Sequence, residues 1–305
     1  MSFSILDIQY EVGEFEIDLL SRYPEYAPVL EKTGMPLLYK SERSVEELAA
    51  TAAQKLLANN PESFARTSAL LVVSQSSEYQ LPSLACEIHR RLQLPPGALA
   101  FDINQGCSGF VQALTIAVAL LPAHENILIV CADKYRSKLQ PGDRSTESVF
   151  SDAASAILLG RNGALAITRQ SHLTDGSGRR FLTQKIGEHL TMAGADVFLW
   201  TRNKVAKQIQ AVITEESLLG RRPHTVVLHQ ASKLVVETIG GSLPVDIEIP
   251  MEFARFGNTV SSTIPILLAN KPEILRRDGT TLLAGFGVGL SSSVVSITRE
   301  HSDLK

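Results

Sequence analysis

The feature that most constrains the fold of this chain is a faint internal repeat. Residues 71–76 form an apolar run that ends in Ser-Gln-Ser, and they resemble residues 226–231, which end in His-Gln-Ala; the offset is 226 minus 71, or 155 residues. The same offset carries the helical pattern of residues 45–58 onto residues 200–213, and the apolar run around Leu128 onto the run around Leu283. Unrelated α/β units can share such spacings, so chance similarity is the alternative. A true duplication predicts two similar halves with a site where they meet.

The pattern along the chain is an alternation of strands and helices. Residues 69–73, 100–103 and 127–131 are short apolar runs typical of buried strands. Residues 83–92 and 107–121 have helical periodicity, and Pro122 ends the second of these helices. No segment rich in Pro, Gly or Ser separates the halves. We therefore predict an α/β fold with an N-terminal half of residues 1–160 and a C-terminal half of residues 161–305.

Composition excludes several classes of function. The 305 residues carry 29 Lys plus Arg against 32 Asp plus Glu, a net charge of -3 with no basic tract, which argues against a nucleic-acid binder. The longest apolar run, residues 116–122, is too short to span a membrane. The first ten residues lack the basic flank of a signal peptide, so we expect a cytoplasmic protein.

Three cysteines, Cys86, Cys107 and Cys131, are too few and too scattered for a disulfide framework or a zinc site, so no metal is expected. Cys107 alone follows a glycine turn at the start of a helix. Unpaired amides and the helix dipole at that position lower the pKa of a thiol and favour the reactive thiolate. The alternative is a buried cysteine that acts as a small apolar side chain.

Two further side chains are candidates for the same site. His229 ends a strand-like run, where α/β folds place functional groups, although a structural histidine is the alternative. Asn258 follows a glycine and precedes an apolar helical run, which is also typical of a helix cap. The repeat offset aligns His229 with Ser74 and Cys107 with Ser262, so Cys, His and Asn are expected to converge on one cleft.

The apolar strand 282–286 runs into a glycine-rich turn that can bring backbone amides close to an oxyanion. The turn lacks the Lys-Ser/Thr of a phosphate-binding loop and does not open the helix of a dinucleotide site, so ATP and NAD are not expected.

The motifs together resemble the β-ketoacyl-acyl-carrier-protein synthase III family, whose members have the thiolase fold. The matching segments are Cys-Ser-Gly-Phe at 107–110, Phe-Ser-Asp-Ala-Ala-Ser-Ala at 150–156, Leu-Thr-Met-Ala-Gly at 190–194, His-Gln-Ala-Ser at 229–232, Phe-Gly-Asn-Thr at 256–259 and Gly-Phe-Gly-Val-Gly at 285–289. The resemblance implies two pseudo-duplicated halves packed as five layers, αβαβα. It also implies that Cys107 carries an acyl group as a thioester, and that His229 and Asn258 stabilise the enolate of a decarboxylating malonyl-type thioester.

The resemblance implies further contacts with substrate. Backbone amides of Cys107, Gly287 and Val288 would form an oxyanion site. The residues expected to contact substrate are Lys32, Leu81, Arg144, Met192 and Ser232, with Leu81 reaching into the acyl pocket of a partner chain and Arg144 contacting coenzyme A. Thioesters of coenzyme A or phosphopantetheine are the expected substrates, with no other cofactor. An acyl carrier protein is a possible partner, and the expected assembly is a homodimer or a heterodimer.

The chain departs from the family pattern at several positions. Pro36 replaces a cation, Ser232 an asparagine and Val288 a glycine, and the only tryptophan is Trp200. These changes affect carrier and pantetheine recognition and leave the three catalytic candidates intact. They favour a specialised member, for which secondary metabolism and loading from a carrier protein are options, over one that initiates fatty-acid synthesis from acetyl-coenzyme A.

Three alternatives to a condensing enzyme stay open from the sequence. The acyl group on Cys107 could pass to an oxygen or nitrogen acceptor, although Asn258 then has no enolate to stabilise. The chain could be a non-catalytic subunit of a heterodimeric synthase, although Cys107 argues against this. Cysteine hydrolases also use Cys, His and Asn.

Overall fold

The computed structural model describes residues 2–299. Its strands are β1 (Ser2–Val12), β2 (Phe15–Asp18), β3 (Leu37–Lys40), β4 (Thr67–Val73), β5 (Leu99–Ile103), β6 (Asn126–Asp133), β7 (Ala153–Arg161), β8 (Leu165–Thr174), β9 (Leu182–Thr183), β10 (Thr191–Met192), β11 (Pro223–Leu228), β12 (Gly279–Gly287) and β13 (Ser291–Arg299). Its α-helices are α1 (Leu19–Arg22), α2 (Ala27–Thr33), α3 (Val45–Asn59), α4 (Pro61–Ala65), α5 (Leu84–Arg91), α6 (Gly109–Leu120), α7 (Arg144–Glu147), α8 (Gly194–Trp200), α9 (Ala206–Leu218), α10 (Lys233–Gly240), α11 (Phe253–Phe256), α12 (Thr263–Asn270) and α13 (Glu273–Arg276). A π-helical segment, Thr201–Val205, joins α8 to α9, and 3₁₀ segments include Tyr135–Lys138, Gly176–Phe181 and Val260–Ser262.

The main sheet has the strand order β11-β12-β13-β8-β1-β7-β6-β4-β5. We divide it into a first group, β1, β7, β6, β4 and β5, and a second group, β11, β12, β13 and β8. Within the groups, β4 pairs in parallel with β5 and β6, and β11 pairs in parallel with β12. Among residues 2–299, strand pairing joins the groups at the start of β1 and the start of β8, through Ser2↔Ala166 and Phe3↔Leu165. The predicted boundary at residue 160 lies one residue before the end of β7, and the division into two domains stays a prediction.

Helices cover both faces of each group of strands. Helices α6 and α12 contribute Leu114 and Leu267 to one core with β4 and β6 of the first group and β11, β12 and β13 of the second. Helices α3 and α5 pack on the other face of the first group, and α9 and α10 on the other face of the second. The result is the predicted five-layer αβαβα arrangement, with the central helices shared by the two halves.

Local sequence accounts for the ends of these elements. Helix α3 begins with a capping box, in which Ser44 Oγ accepts from the backbone N–H of Glu47 at 3.2 Å and the Glu47 carboxylate accepts from the Ser44 N–H at 2.8 Å. Leu48, Ala52 and Leu56 recur at helical spacing and are fully buried.

The offset of 155 residues relates β4 to β11, β6 to β12 and α6 to α12, so matching elements bring their ends to the centre of the molecule. Within residues 2–299, no helix is both long and apolar enough to cross a membrane.

Candidate active site

Cys107 lies in the turn between β5 and α6, directly before the helix. The Gly109 N–H donates to the Gly106 carbonyl at 2.8 Å, which closes the turn. Strand β12 approaches it so closely that a Cβ on Gly285 would lie 2.9 Å from the Cys107 carbonyl oxygen, and one on Gly287 2.9 Å from the Cys107 Cβ. Only glycine fits at these two positions, so the repeated glycines of the 285–289 segment bring the second half against the cysteine.

The Cys107 thiol is buried, and burial raises its pKa to about 12, with the charge of Asp133 acting in the same direction. The backbone N–H groups of Cys107 and Val288 favour the thiolate and oppose this rise. The predicted lowering of the thiol pKa is therefore wrong, because desolvation outweighs the amides and the helix terminus. The thiol is protonated at rest and must lose its proton as it is acylated.

His229 follows the last residue of β11 and is 1% exposed. Its backbone N–H donates to the Ala284 carbonyl at 2.8 Å, which fixes it to β12. Its Nδ1 lies 2.7 Å from Thr263 Oγ1, and its ring packs edge-on against Phe286 with the ring centroids 5.5 Å apart. Burial lowers the pKa of His229 to about 3, so the ring is neutral at physiological pH.

Asn258 is positioned by a turn that requires glycine. Gly257 has φ +66°, and a Cβ there would lie 2.3 Å from Leu38 Cδ2. The Asn258 N–H donates to the Val149 carbonyl at 2.9 Å, which ties the turn to the first half. The Asn258 Oδ1 accepts from the Val260 N–H at 2.9 Å. This bond fixes the orientation of the side-chain amide and leaves Nδ2 as its free donor.

One cavity of about 200 Å³ brings the three candidates together, and we call it the catalytic cavity. Cys107 comes from the first half, and His229 and Asn258 come from the second. Met192, Ser232 and Lys32, three of the residues predicted to contact substrate, also line it. The convergence expected from the repeat is therefore present: a soft nucleophile faces a neutral imidazole and an amide donor.

Comparisons with known proteins assign the chain to a family. Two family models match, 3-oxoacyl-[acyl-carrier-protein] synthase III over residues 101–176 and the C-terminal region of the same synthase over residues 221–298. The β-ketoacyl-[acyl-carrier-protein] synthase III of Coxiella burnetii (strain RSA 331) is 30% identical over 234 residues, which cover 73% of this chain and 73% of that protein. This chain belongs to the synthase III family.

Other relatives extend the match over nearly the whole chain. The synthase III of Koribacter versatilis is 27% identical over 289 residues, which cover 87% of this chain and 86% of that protein. The crystal structure of the 3-oxoacyl-(acyl carrier protein) synthase from Burkholderia xenovorans LB400 superposes with a TM-score of 0.88 at 26% identity, over 98% of this chain and 94% of the other. The predicted thiolase-like fold and the predicted enzyme class, a β-ketoacyl synthase acyltransferase, are confirmed.

The remaining residues expected from the synthase III resemblance are distributed around the site. Gly287 lines the catalytic cavity, and Val288 lines a neighbouring one. Leu81 is 85% exposed in the segment between β4 and α5. Arg144 is exposed at the start of α7, with its guanidinium carbon 5.5 Å from the centre of the Tyr26 ring. Leu81 and Arg144 do not line the catalytic cavity, and their predicted contacts with a partner chain and coenzyme A stay predictions.

Two residues of the candidate site were not found from the sequence. Thr263 is the hydrogen-bonding partner of His229 Nδ1, and Phe286 packs against the same ring. Phe286 stands in the glycine-rich motif, but its apolar side chain gave no sign of a contact with histidine. Thr263 is one residue after Ser262, the repeat counterpart of Cys107, so the 155-residue offset was the one signal that pointed near it.

Proposed function

We propose that Cys107 accepts an acyl group from a thioester and that the acyl-enzyme then condenses with a malonyl-type thioester, with loss of carbon dioxide. The observation that carries this proposal is the single cavity lined by Cys107, His229 and Asn258. A cysteine sulfur is both a good nucleophile and a good leaving group, as a transient acyl carrier must be. The two other side chains are the donors that an enolate requires.

In the first step, Cys107 Sγ attacks the thioester carbonyl, the carbon–sulfur bond to the donor breaks, and the thiol proton passes to the departing thiolate. The N–H groups of Cys107 and Val288, which favour the thiolate form of Cys107, would stabilise the oxyanion. Neutral His229, in the same cavity, is the side chain that can relay this proton. Thr263 supports that role, because its hydroxyl can accept from Nδ1–H while it donates to the Val260 carbonyl at 3.4 Å.

In the second step, the malonyl carboxylate leaves as carbon dioxide and negative charge develops on the thioester oxygen. Asn258 Nδ2 is free to donate to that oxygen because its Oδ1 is occupied by the Val260 N–H. When the Thr263 hydroxyl donates to His229 Nδ1 instead, Nε2 carries the proton and donates as well. The enolate carbon then attacks the acyl-cysteine carbonyl, the new carbon–carbon bond forms as the bond from that carbonyl to Cys107 Sγ breaks, and the released thiolate takes up a proton from solvent.

The catalytic cavity is also suited to a pantetheine arm. Its wall is mostly apolar, with Met192, Val197 and Phe198 on one side, and Lys32 and Ser232 supply polar groups. The names of the relatives specify an acyl carrier protein. We therefore propose thioesters of coenzyme A or of carrier phosphopantetheine as substrates.

The test supplies an acyl-thioester together with malonyl-thioester labelled in its free carboxyl group. We expect a β-keto product and release of the label as carbon dioxide. Retention of the label with transfer of the acyl group to an alcohol or amine contradicts condensation and supports simple acyl transfer. Absence of any acyl mass on the protein supports a non-catalytic subunit, and rapid loss of a formed adduct to water supports a hydrolase.

We also propose that two copies of the chain associate through the edge of the sheet at β5. Among residues 2–299, β5 pairs with β4 alone, and Leu99 on it is 43% exposed. Tyr79 and Leu81, in the segment before α5, are 66% and 85% exposed, so the same side of the first half has large uncovered apolar side chains. Sedimentation velocity at micromolar concentration should show a particle of twice the chain mass. A particle of one chain mass would contradict the proposal.

A further inference from the structure

A second cavity lies beside the catalytic cavity: Val288 and Gly289 line it, and they directly follow Gly287, which lines the first. It encloses about 490 Å³. Its wall includes Lys138 and Arg179, together with uncharged polar side chains such as Gln75 and Asn104. No Asp or Glu lines it among residues 2–299. We call it the cationic cavity.

The two cations of this cavity are available to a ligand. Within residues 2–299, neither Lys138 nor Arg179 lies within 4.0 Å of a carboxylate oxygen. The Lys138 Nζ donates to the Gln75 carbonyl at 2.5 Å, which uses one of its three protons. Arg179 is exposed at the rim, in the 3₁₀ segment Gly176–Phe181. Burial lowers the pKa of Lys138, and the charge of nearby Asp133 opposes this shift, but Asp133 does not line the cavity. Two cations that face one space with no carboxylate in its wall favour an anionic ligand.

Several residues connect the cationic cavity to the nucleophile. The backbone N–H of Val288 favours the thiolate of Cys107, and Val288 also lines the cationic cavity. Leu182 lines both cavities. Gln75 is next to the residue that precedes the cysteine, since a Cβ on Gly106 would lie 2.5 Å from Gln75 Oε1. The Tyr135 hydroxyl donates to that same Oε1 at 2.7 Å, so the wall between the cavities is well fixed.

An acyl-enzyme that condenses with a second thioester needs two separate spaces at the sulfur. The catalytic cavity holds His229 and Asn258, so the incoming malonyl thioester must occupy it. The acyl chain on Cys107 then requires another space, and the cationic cavity is the one adjacent to Val288.

We propose that the acyl chain carried by Cys107 extends past Val288 into the cationic cavity and ends in a carboxylate bound by Lys138 and Arg179. The donors would be monothioesters of dicarboxylic acids. This inference rests on the proposed function and deepens it. The chemistry at sulfur is unchanged: the Sγ–carbon bond forms, the donor's carbon–sulfur bond breaks, and the thiol proton passes to the departing thiolate, while the distal carboxylate only binds.

The test compares donors of equal length that differ in charge. Glutaryl-coenzyme A and valeryl-coenzyme A both carry five-carbon acyl groups, and the gain of acyl mass on the intact protein is followed with time. We expect glutaryl loading to be at least about tenfold faster. Lys138→Met and Arg179→Gln should each slow glutaryl loading about tenfold and leave valeryl loading unchanged. Lys207→Gln, which removes an exposed cation on α9, is the matched control and should alter neither rate.

The outcomes separate this inference from the proposed function. Faster loading of valeryl groups, or glutaryl loading that neither variant slows, overturns the carboxylate assignment and leaves the acyl-enzyme intact. Failure of both donors to load the wild-type protein contradicts the proposed function, and this inference with it.

Discussion

Cys107→Ala should abolish acyl-enzyme formation and lower turnover by about 10⁴-fold or more, the loss typical when a covalent nucleophile is removed. Cys107 is the one cysteine that lines the catalytic cavity among residues 2–299, and alanine offers no atom that can form the thioester. Intact-protein mass spectrometry after exposure to acyl-coenzyme A measures the effect directly. Cys86→Ala is the control, because Cys86 is exposed on α5 and should keep full loading.

Cys131 provides a second control for this experiment. It is fully buried in β6, burial raises the pKa of its thiol, and it does not line the catalytic cavity. Digestion of the loaded wild-type protein should therefore place the acyl mass on the peptide that contains Cys107. An acyl mass on another residue, or one that persists undiminished in Cys107→Ala, contradicts the assigned nucleophile.

The repeat explains why much of the catalytic cavity could be predicted from the sequence. Elements related by the 155-residue offset end at the same central place, so Cys107, before α6, and His229, after β11, are both directed there. Asn258 could be predicted for a similar reason, because it lies shortly before Ser262, the repeat counterpart of Cys107. Residues that the repeat places at the ends of elements can be predicted without knowing how the halves pack.

The electrostatics of the site could not be predicted in the same way. The position of Cys107 before a helix favours a low thiol pKa, but the thiol pKa also depends on desolvation by the second half of the chain, which no local pattern encodes. The cationic cavity could not be predicted for the same reason, because it also forms by the packing of distant segments. Lys138 and Arg179 are 41 residues apart in sequence and share one wall only after the segments following β6 and β8 pack together.

Asn258→Asp should reduce condensation by about 10²–10³-fold, the usual effect of removing one oxyanion donor, and leave acylation of Cys107 within about threefold of the wild-type rate. The substitution retains an oxygen that can accept from the Val260 N–H, a bond of 2.9 Å in the wild type. It replaces the free amide donor with an oxygen that repels the developing enolate. Separate measurement of acyl-mass gain and of label release from malonyl-thioester distinguishes the two steps.

The aspartate variant is more informative than Asn258→Ala because the turn depends on the side chain as well as the backbone. Alanine leaves the Val260 N–H without its acceptor in a buried position, so it could slow both steps by distorting the turn. Loss of condensation in both variants with normal acylation in Asn258→Asp assigns Asn258 to the enolate. Condensation at the wild-type rate in Asn258→Asp would mean that His229 alone bears the developing charge. Parallel loss of acylation in that variant would mean that Asn258 positions the cavity and does not donate to the substrate.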